Sequence, residues 1–182
     1  EARVQCWLYV LDKSGTKPAA PLGTKCSEGP AVSRKRMHIA WTHVAAEYPD
    51  AMPAGSSRMQ EADVVFEDGK PKLANQKLII DSKDLPFRCT METQNYRPPD
   101  EKELTFSAYG HQGTDVAGID LVTKKVVNYS NSPGQYDEPE GIFPDGQFTL
   151  VECDKQNLKG SGNVDLWKLK LDGSGAYERL TH

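Results

Sequence analysis

One stretch near the C-terminal end, residues 136–181, constrains the fold most, because it places four short strand-forming runs one after another. Phe148–Val151 follows the turn Pro144-Asp145-Gly146, in which proline presets φ and glycine accepts the positive φ that follows. The run Val164–Leu171 ends on Asp172-Gly173, a pair typical of tight hairpins. Two hairpins cannot bury their own faces. The stretch therefore predicts a unit that stacks against others of its kind.

Similar units recur roughly every 50 residues along the chain. Four hairpins of one type lie at Cys6–Gly15, Ala62–Lys70, Gly118–Val127 and Val164–Gly173. Between them lie three copies of a second strand–turn–strand unit, Glu28–Trp41, Glu92–Phe106 and Glu138–Val151. A repeat of this length with four strands is typical of a β-propeller. We predict an all-β fold with a partial blade at residues 1–26 and full blades at 27–84, 85–135 and 136–182.

The motifs of the last unit resemble those of a known family. Pro144-Asp145-Gly146, then Asp165–Gly173 with its Asp-Leu-Trp-x-Leu-x-Leu-Asp-Gly pattern, then Arg179-Leu180-Thr181, are similar to the TolB-like propeller repeats, which are relatives of the Trp-Asp-repeat propellers. The middle unit keeps Pro99-Asp100 without the glycine, and the first has Ser33–Arg36 in place of this turn. The resemblance implies a bacterial, exported protein of the periplasm or beyond, in which the propeller binds a partner.

About three and a half blades are too few for a closed ring, since propellers close with about 4 to 8 blades. A half-ring would leave strand edges and apolar faces open. We therefore expect these blades to belong to a six- to eight-bladed ring that further chain or another subunit completes. The opening at Glu1 runs straight into strand-like sequence, which suggests a processed or truncated N-terminus.

Composition excludes two classes of partner. A net charge of -4 gives no electrostatic basis for binding nucleic acid. No apolar run approaches the roughly 18 residues of a membrane-spanning helix. The four cysteines do not form a zinc or haem motif, and they are expected either as buried thiols or with Cys26 and Cys89 joined in a disulfide.

The candidate site lies where loops of one propeller face meet the channel lined by the first strand of each blade. The longest such loop is predicted between Thr42 and Gln60, and Glu28, Glu92 and Glu138 begin successive first strands. Carboxylates facing one channel repel unless a cation, an arginine or water separates them, and a hard cation such as Ca²⁺ would suit oxygen ligands. Solvated side chains and a polar surface loop are the structural alternatives. The predicted binding set is Glu28, His43, Glu47, Tyr48, Asp50, Glu92, His111, Tyr136, Asp137, Glu138 and Glu140.

The residues favour binding over chemistry, and no catalytic residue is predicted. The chain has neither a Gly-x-Ser-x-Gly elbow nor a phosphate-binding Gly-x-x-x-x-Gly-Lys-Ser/Thr loop. We expect a scaffold that presents one face of loops to a protein or glycan partner, either alone or as a subunit of a larger assembly. The alternative is a metal-assisted carbohydrate-active enzyme, similar to the oligogalacturonide lyases, whose remaining ligands lie outside this chain. Only His43 and His111 share a predicted face, which is few for a histidine-rich metal site.

Overall fold

Turn chemistry and alternating apolar residues divide the chain into antiparallel hairpins. The computed structural model describes residues 6–12, 15–22, 26–44, 55–157 and 163–182, and of residues 10–12, 15–20, 27, 28 and 44 it describes the backbone. Strands β1 (Trp7–Asp12) and β2 (Gly15–Pro21) form a two-stranded sheet. The described strands that follow form three four-stranded sheets, each in simple up-and-down order.

The three large sheets have the same plan. Sheet I contains β3 (Cys26–Val32), β4 (His38–Val44), β5 (Ser57–Glu67) and β6 (Lys70–Asp81). Sheet II contains β7 (Thr90–Tyr96), β8 (Glu103–Tyr109), β9 (Thr114–Asp120) and β10 (Val126–Asn128). Sheet III contains β11 (Asp137–Ile142), β12 (Phe148–Cys153), β13 (Asp165–Lys170) and β14 (Tyr177–Arg179). Two short 3-10 turns, Ser82–Asp84 and Lys155–Asn157, complete the regular structure of the described ranges. The predicted all-β class is confirmed.

The sheets stack through two apolar layers that use opposite faces of sheet II. Leu104, Phe106 and Ile119 are fully buried in a layer shared with Ala40 and Met59 of sheet I. Alternate residues of the same sheet face the other way, so that Val116 and Tyr129 pack with Ile142, Val151 and Leu169 of sheet III. Since each layer joins neighbouring sheets, the sheets stack face to face as the blades of a propeller do.

Polar contacts also join the sheets at the turns between their first and second strands. Arg97, which follows β7, donates to the carbonyl oxygens of Gly146 (2.7 Å) and Leu171 (2.8 Å) in sheet III. Glu101 accepts bonds from Ser33 Oγ (2.5 Å) and the Arg34 amide (2.8 Å) of sheet I. The first-to-second strand turns of sheets I and III are therefore both bound to the corresponding turn of sheet II.

An ionic group on strands β4, β5 and β6 of sheet I is buried at His38 and Glu61 and lies beside Tyr96 of sheet II. His38, 5% exposed, contacts Asp63 Oδ1 through Nδ1 (2.7 Å) and Glu61 Oε2 through Nε2 (2.8 Å). Glu61 also pairs with Lys77 at 2.9 Å. Burial raises the pKa of Glu61. The bonds with His38 and Lys77 lower it by more than burial raises it, so the pKa lies below its usual value. The carboxylate is therefore compensated, as a buried charge must be.

Two sequence expectations need correction. Strand β4 continues through Val44, so His43 belongs to a strand that pairs with Cys26 and Arg58, not to a loop. The position of Trp7 within a strand-forming run predicts a residue of the core between blades, but Trp7 is 44% exposed. The reason is that the two-stranded sheet packs with one face, through Cys6 and Leu8, and alternation turns Trp7 outward.

Within the described ranges, no helix is both long and apolar enough to cross a membrane.

Candidate functional site

Two buried glutamates on the first strands of neighbouring sheets meet around one tyrosine. Glu92 of β7 is 8% exposed and Glu138 of β11 is 9% exposed. Tyr109, the last residue of β8, lies between them, with its Oη 2.5 Å from Glu92 Oε2 and also in hydrogen-bond contact with Glu138 Oε1. Tyr136 donates to the other oxygen of Glu138. We call Glu92, Tyr109, Tyr136 and Glu138 the carboxylate–phenol cluster.

The local strand pattern explains why these four groups converge. Tyr109 is two residues beyond Ser107, the residue opposite Glu92, so the side chains of both residues lie on the same face of β8. The bridge between Thr114 and Tyr136 brings the start of β11 alongside β9. Gln94 then fixes the other oxygen of Glu92 by donating to it at 3.1 Å, while also reaching Ser107 Oγ at 3.2 Å.

The proton count in this cluster is informative. A phenol has one proton to donate, and an ionised carboxylate only accepts. Burial, and then the hydrogen bonds to Glu138 and Glu92, raise the pKa of Tyr109, so its hydroxyl keeps its proton at neutral pH. One proton can nevertheless serve only one of the two carboxylates. Tyr109 therefore donates to Glu92 or to Glu138 at any one moment.

Glu138 also belongs to a second acidic group. Ligand oxygens of Glu138, Glu140 and Glu152 lie within 4.8 Å of one another. Glu152 is directly opposite Glu138 on β12 and is half-buried, whereas Glu140 is exposed. We call these three residues the acidic rim. Carboxylate oxygens at this spacing suit a hard cation such as Ca²⁺ or a cationic side chain of a partner.

The other predicted site residues are only in part within the described part of the chain. Glu28 lies in β3, but its side chain is outside the described part of the chain, as are residues Glu47, Tyr48 and Asp50 entirely. His111 lies in the turn between β8 and β9, as expected, and its ring stacks on Phe87 with centroids 4.1 Å apart. His43 is half-buried in β4. The structure therefore brings together Glu92, Tyr136, Glu138 and Glu140 from the predicted set.

Asp137 lies on the opposite face of β11 from Glu138, because side chains alternate along a strand. It is fully buried and accepts a bond from Ser132 Oγ. Burial raises its pKa, and the nearby Asp115 raises it further, although contacts with Cys153, Ser132 and Tyr177 lower it. Asp137 is therefore part of the packing between sheets II and III and not of the open rim.

All four cysteines are free thiols. Of the two alternatives predicted for Cys26 and Cys89, the structure therefore has the separate thiols and not the disulfide. Burial raises the pKa of Cys89 to about 12. Burial also raises the pKa of Cys153, and the neighbouring Asp137 adds to that shift. A nucleophilic cysteine reacts as the thiolate. Both thiols keep their protons at neutral pH, so neither is in that form.

Tyr109, Gln94 and Glu152 are site residues that the sequence did not indicate. The alternation of side chains along the strands does contain a signal for two of them. Glu152 lies directly opposite Glu138, and Tyr109 lies on the same face of the sheet as Glu92. Using that signal requires the pairing register, and a shift by one residue reverses every face.

The three stacked sheets define an all-β protein of the propeller type. No protein-family model matches the sequence, and no curated protein matches it. The fold is similar to the structure of a putative TolB from Agrobacterium tumefaciens, with a TM-score of 0.67 and 18% identity over 97% of this chain and 55% of that one. It is also similar to TolB from Acinetobacter baumannii, with a TM-score of 0.63 and 21% identity over 97% of this chain and 37% of that one.

The chain accordingly has a TolB-like fold, and it spans about half or less of the length of these solved structures. At 18% and 21% identity the likeness establishes the fold and leaves the activity to the residues of the site.

Proposed function

We propose that this chain is the non-catalytic binding portion of a TolB-like propeller, and that its acidic rim contacts a protein or glycan partner. The observation that carries the proposal is the arrangement of the glutamates. Glu92 and Glu138 are in hydrogen-bond contact with phenol hydroxyls, and Glu140 beside them is exposed. A fixed, negatively charged surface of this kind favours the binding of basic groups on a partner.

Three further parts belong to the proposal, and the resemblance to TolB-like repeats supports the first two. The first is that the protein acts in the periplasm or outside the cell of a bacterium. Its ring is completed by further chain or by another subunit. Its partners do not include nucleic acid, consistent with the net charge of -4.

A test compares partner capture by immobilised wild-type protein with capture by Glu140→Gln/Glu152→Gln. Removing two rim charges is expected to lower recovery of a specific partner by at least about tenfold. Glu178→Gln is the matched control, because Glu178 is an exposed glutamate of the same sheet that pairs with Lys168 at 3.4 Å. Equal recovery by the rim variant and wild type would contradict the proposal.

The second candidate function is a metal-assisted carbohydrate-active enzyme, which the oxygen spacing in the acidic rim favours. Calorimetric titration with Ca²⁺, Mn²⁺ and Zn²⁺ distinguishes the two. Stoichiometric binding that Glu140→Gln/Glu152→Gln abolishes, together with cleavage of an acidic polysaccharide, would favour the enzyme. Ca²⁺ binding without cleavage would make the cation a structural part of the binding surface.

A further inference from the structure

A polar cleft lies between sheets II and III and shares no lining residue with the carboxylate–phenol cluster or the acidic rim. Its volume is about 370 Å³, at the lower end of the range for ligand sites. The segment after β10 supplies Ser130, Asn131, Ser132, Pro133 and Gln135, and Lys155, the turn Gly173–Gly175 and Tyr177 supply the rest. Residues from several segments converge here.

The serines of the cleft are fixed by two buried aspartates. Ser130 Oγ donates to Asp115 Oδ1 at 2.9 Å and accepts the Val116 amide at 3.0 Å. Ser132 Oγ donates to Asp137. Asp115 and Asp137 are 1% and 0% exposed, so these bonds lie beneath the cleft surface. With their protons committed inward, both serines offer an acceptor to anything in the cleft. A matching ligand therefore brings hydroxyl or amine donors.

Lys155 sets the charge of the cleft. Its Nζ lies 4.5 Å from the centroid of the Tyr177 ring, which holds the ammonium group at the cleft. Within the described part of the chain, the lining contains no carboxylate that would neutralise it. Asp115 and Asp137 are covered by the serines and do not line the cleft. A matching ligand therefore also carries one negative charge.

We propose that this cleft binds a small polyhydroxylated carboxylate, with its carboxylate paired to Lys155 and its hydroxyl groups donating to Ser130, Ser132 and the side-chain amides. The amides of Asn131 and Gln135 offer both donors and acceptors, as a chain of hydroxyl groups requires. This inference goes beyond the proposed function, because it assigns a small-molecule site that needs neither the acidic rim nor a macromolecular partner.

Calorimetric titration with three probes separates the two features of the ligand. Gluconate carries both the carboxylate and the hydroxyl groups, propionate only the carboxylate, and glucose only the hydroxyl groups. Gluconate is expected to bind at least about tenfold more tightly than either of the others, since a charge-assisted bond and several neutral bonds act together. Equal affinities for gluconate and propionate, no binding of gluconate, or tighter binding of inorganic phosphate would overturn the proposal.

Two lysine variants then locate the site. Lys155→Met is expected to weaken gluconate binding by at least about tenfold. Lys125→Met, at an exposed lysine of the β9–β10 turn, should leave it unchanged. Both positions are on the surface, so folding is not at risk, and unchanged thermal unfolding verifies this. Equal losses in the two variants, or no loss in Lys155→Met, would also refute the assignment. Retained gluconate binding by Glu140→Gln/Glu152→Gln is expected, since this site does not depend on the rim.

Discussion

Asp137 and Glu138 are adjacent in the sequence, but the structure gives them different environments. Glu138 accepts bonds from two phenols at the edge of the acidic rim, whereas Asp137 is sealed between sheets beside Asp115. Two carboxyl groups buried close together cannot both ionise without a large cost in free energy. The strand's alternation thus makes one residue a candidate for binding and the other a candidate for a pH-dependent contribution to stability.

Replacing Asp137 with asparagine should stabilise the protein, and more so as the pH rises. The pKa of Asp137 is raised in the folded protein, so the unfolded chain loses this proton first, beginning near the ordinary value of 3.8. Wild type therefore loses stability relative to Asp137→Asn above about pH 4, and the advantage of the variant should be larger at pH 7 than at pH 4. Urea unfolding at several pH values between 3.5 and 7 measures this difference.

Asp81→Asn is the control of opposite sign. Burial raises the pKa of Asp81. The hydrogen bonds from Arg58 Nε (2.7 Å) and from the Lys83 amide lower it by more, so the pKa lies below its usual value. Its ionised form stabilises the fold above the unfolded pKa, and this contribution is lost as the pH falls through the folded value. Asp81→Asn should therefore be destabilised most at pH 7. A pH-independent effect of Asp137→Asn would show that Asp137 is not responsible for the linkage.

At the scale of elements, the Pro144-Asp145-Gly146 turn joins two sheets as well as two strands. Gly146 has φ of +69°, and a Cβ built on it would lie 1.8 Å from the carbonyl oxygen of Pro98 in sheet II. The same residue accepts the bond from Arg97. Its glycine is required both for the backbone conformation and for the approach of sheet II.

Gly146→Ala is therefore expected to cost more than about 3 kcal/mol of unfolding free energy, because the backbone of sheet II must move to admit the methyl group. Gly173→Ala is the matched control, with φ of +78° and open space around its Cβ position, and it should cost only about 1 kcal/mol. Chemical denaturation of both variants gives the comparison. Similar losses in the two would mean that φ alone, and not the contact with Pro98, explains the glycine.

The same elements show how far sequence reasoning extends. Local turn chemistry predicted the hairpin at Gly146, and the repeated four-strand unit predicted sheets that stack. It did not predict that β4 would continue through His43, because a strand end depends on the partner strand that pairs with it. Tyr109 was missed for a related reason, since its role depends on register and on the neighbouring sheet. Contacts within one hairpin can be predicted from the sequence, whereas contacts between sheets depend on how the sheets pack.

At the scale of the whole molecule, sheet III has one face packed and one open in the described part of the chain. Val151 and Leu169 pack towards sheet II, so alternation turns Phe148, Leu150 and Leu166 to the other side. Leu180 lies at the edge of that side and is 42% exposed. Lys168 covers part of it, with its Nζ 4.2 Å from the Phe148 ring centroid. In a propeller such a face packs on the next blade, as sheet II packs on its two neighbours here.

We expect the 182-residue chain, produced by itself, to pair with a second copy through this face. Burying the apolar side chains against one another removes them from water and satisfies the same requirement that a further blade would. Size-exclusion chromatography with light scattering should show a concentration-dependent dimer. Leu166→Lys/Leu180→Lys places like charges on both copies and should shift the dissociation constant by at least about tenfold. Val122→Lys changes a 77% exposed side chain in the β9–β10 turn and should have no effect. A chain that stays monomeric at every concentration would exclude this association. Equal shifts in the two variants would place the contact on another surface.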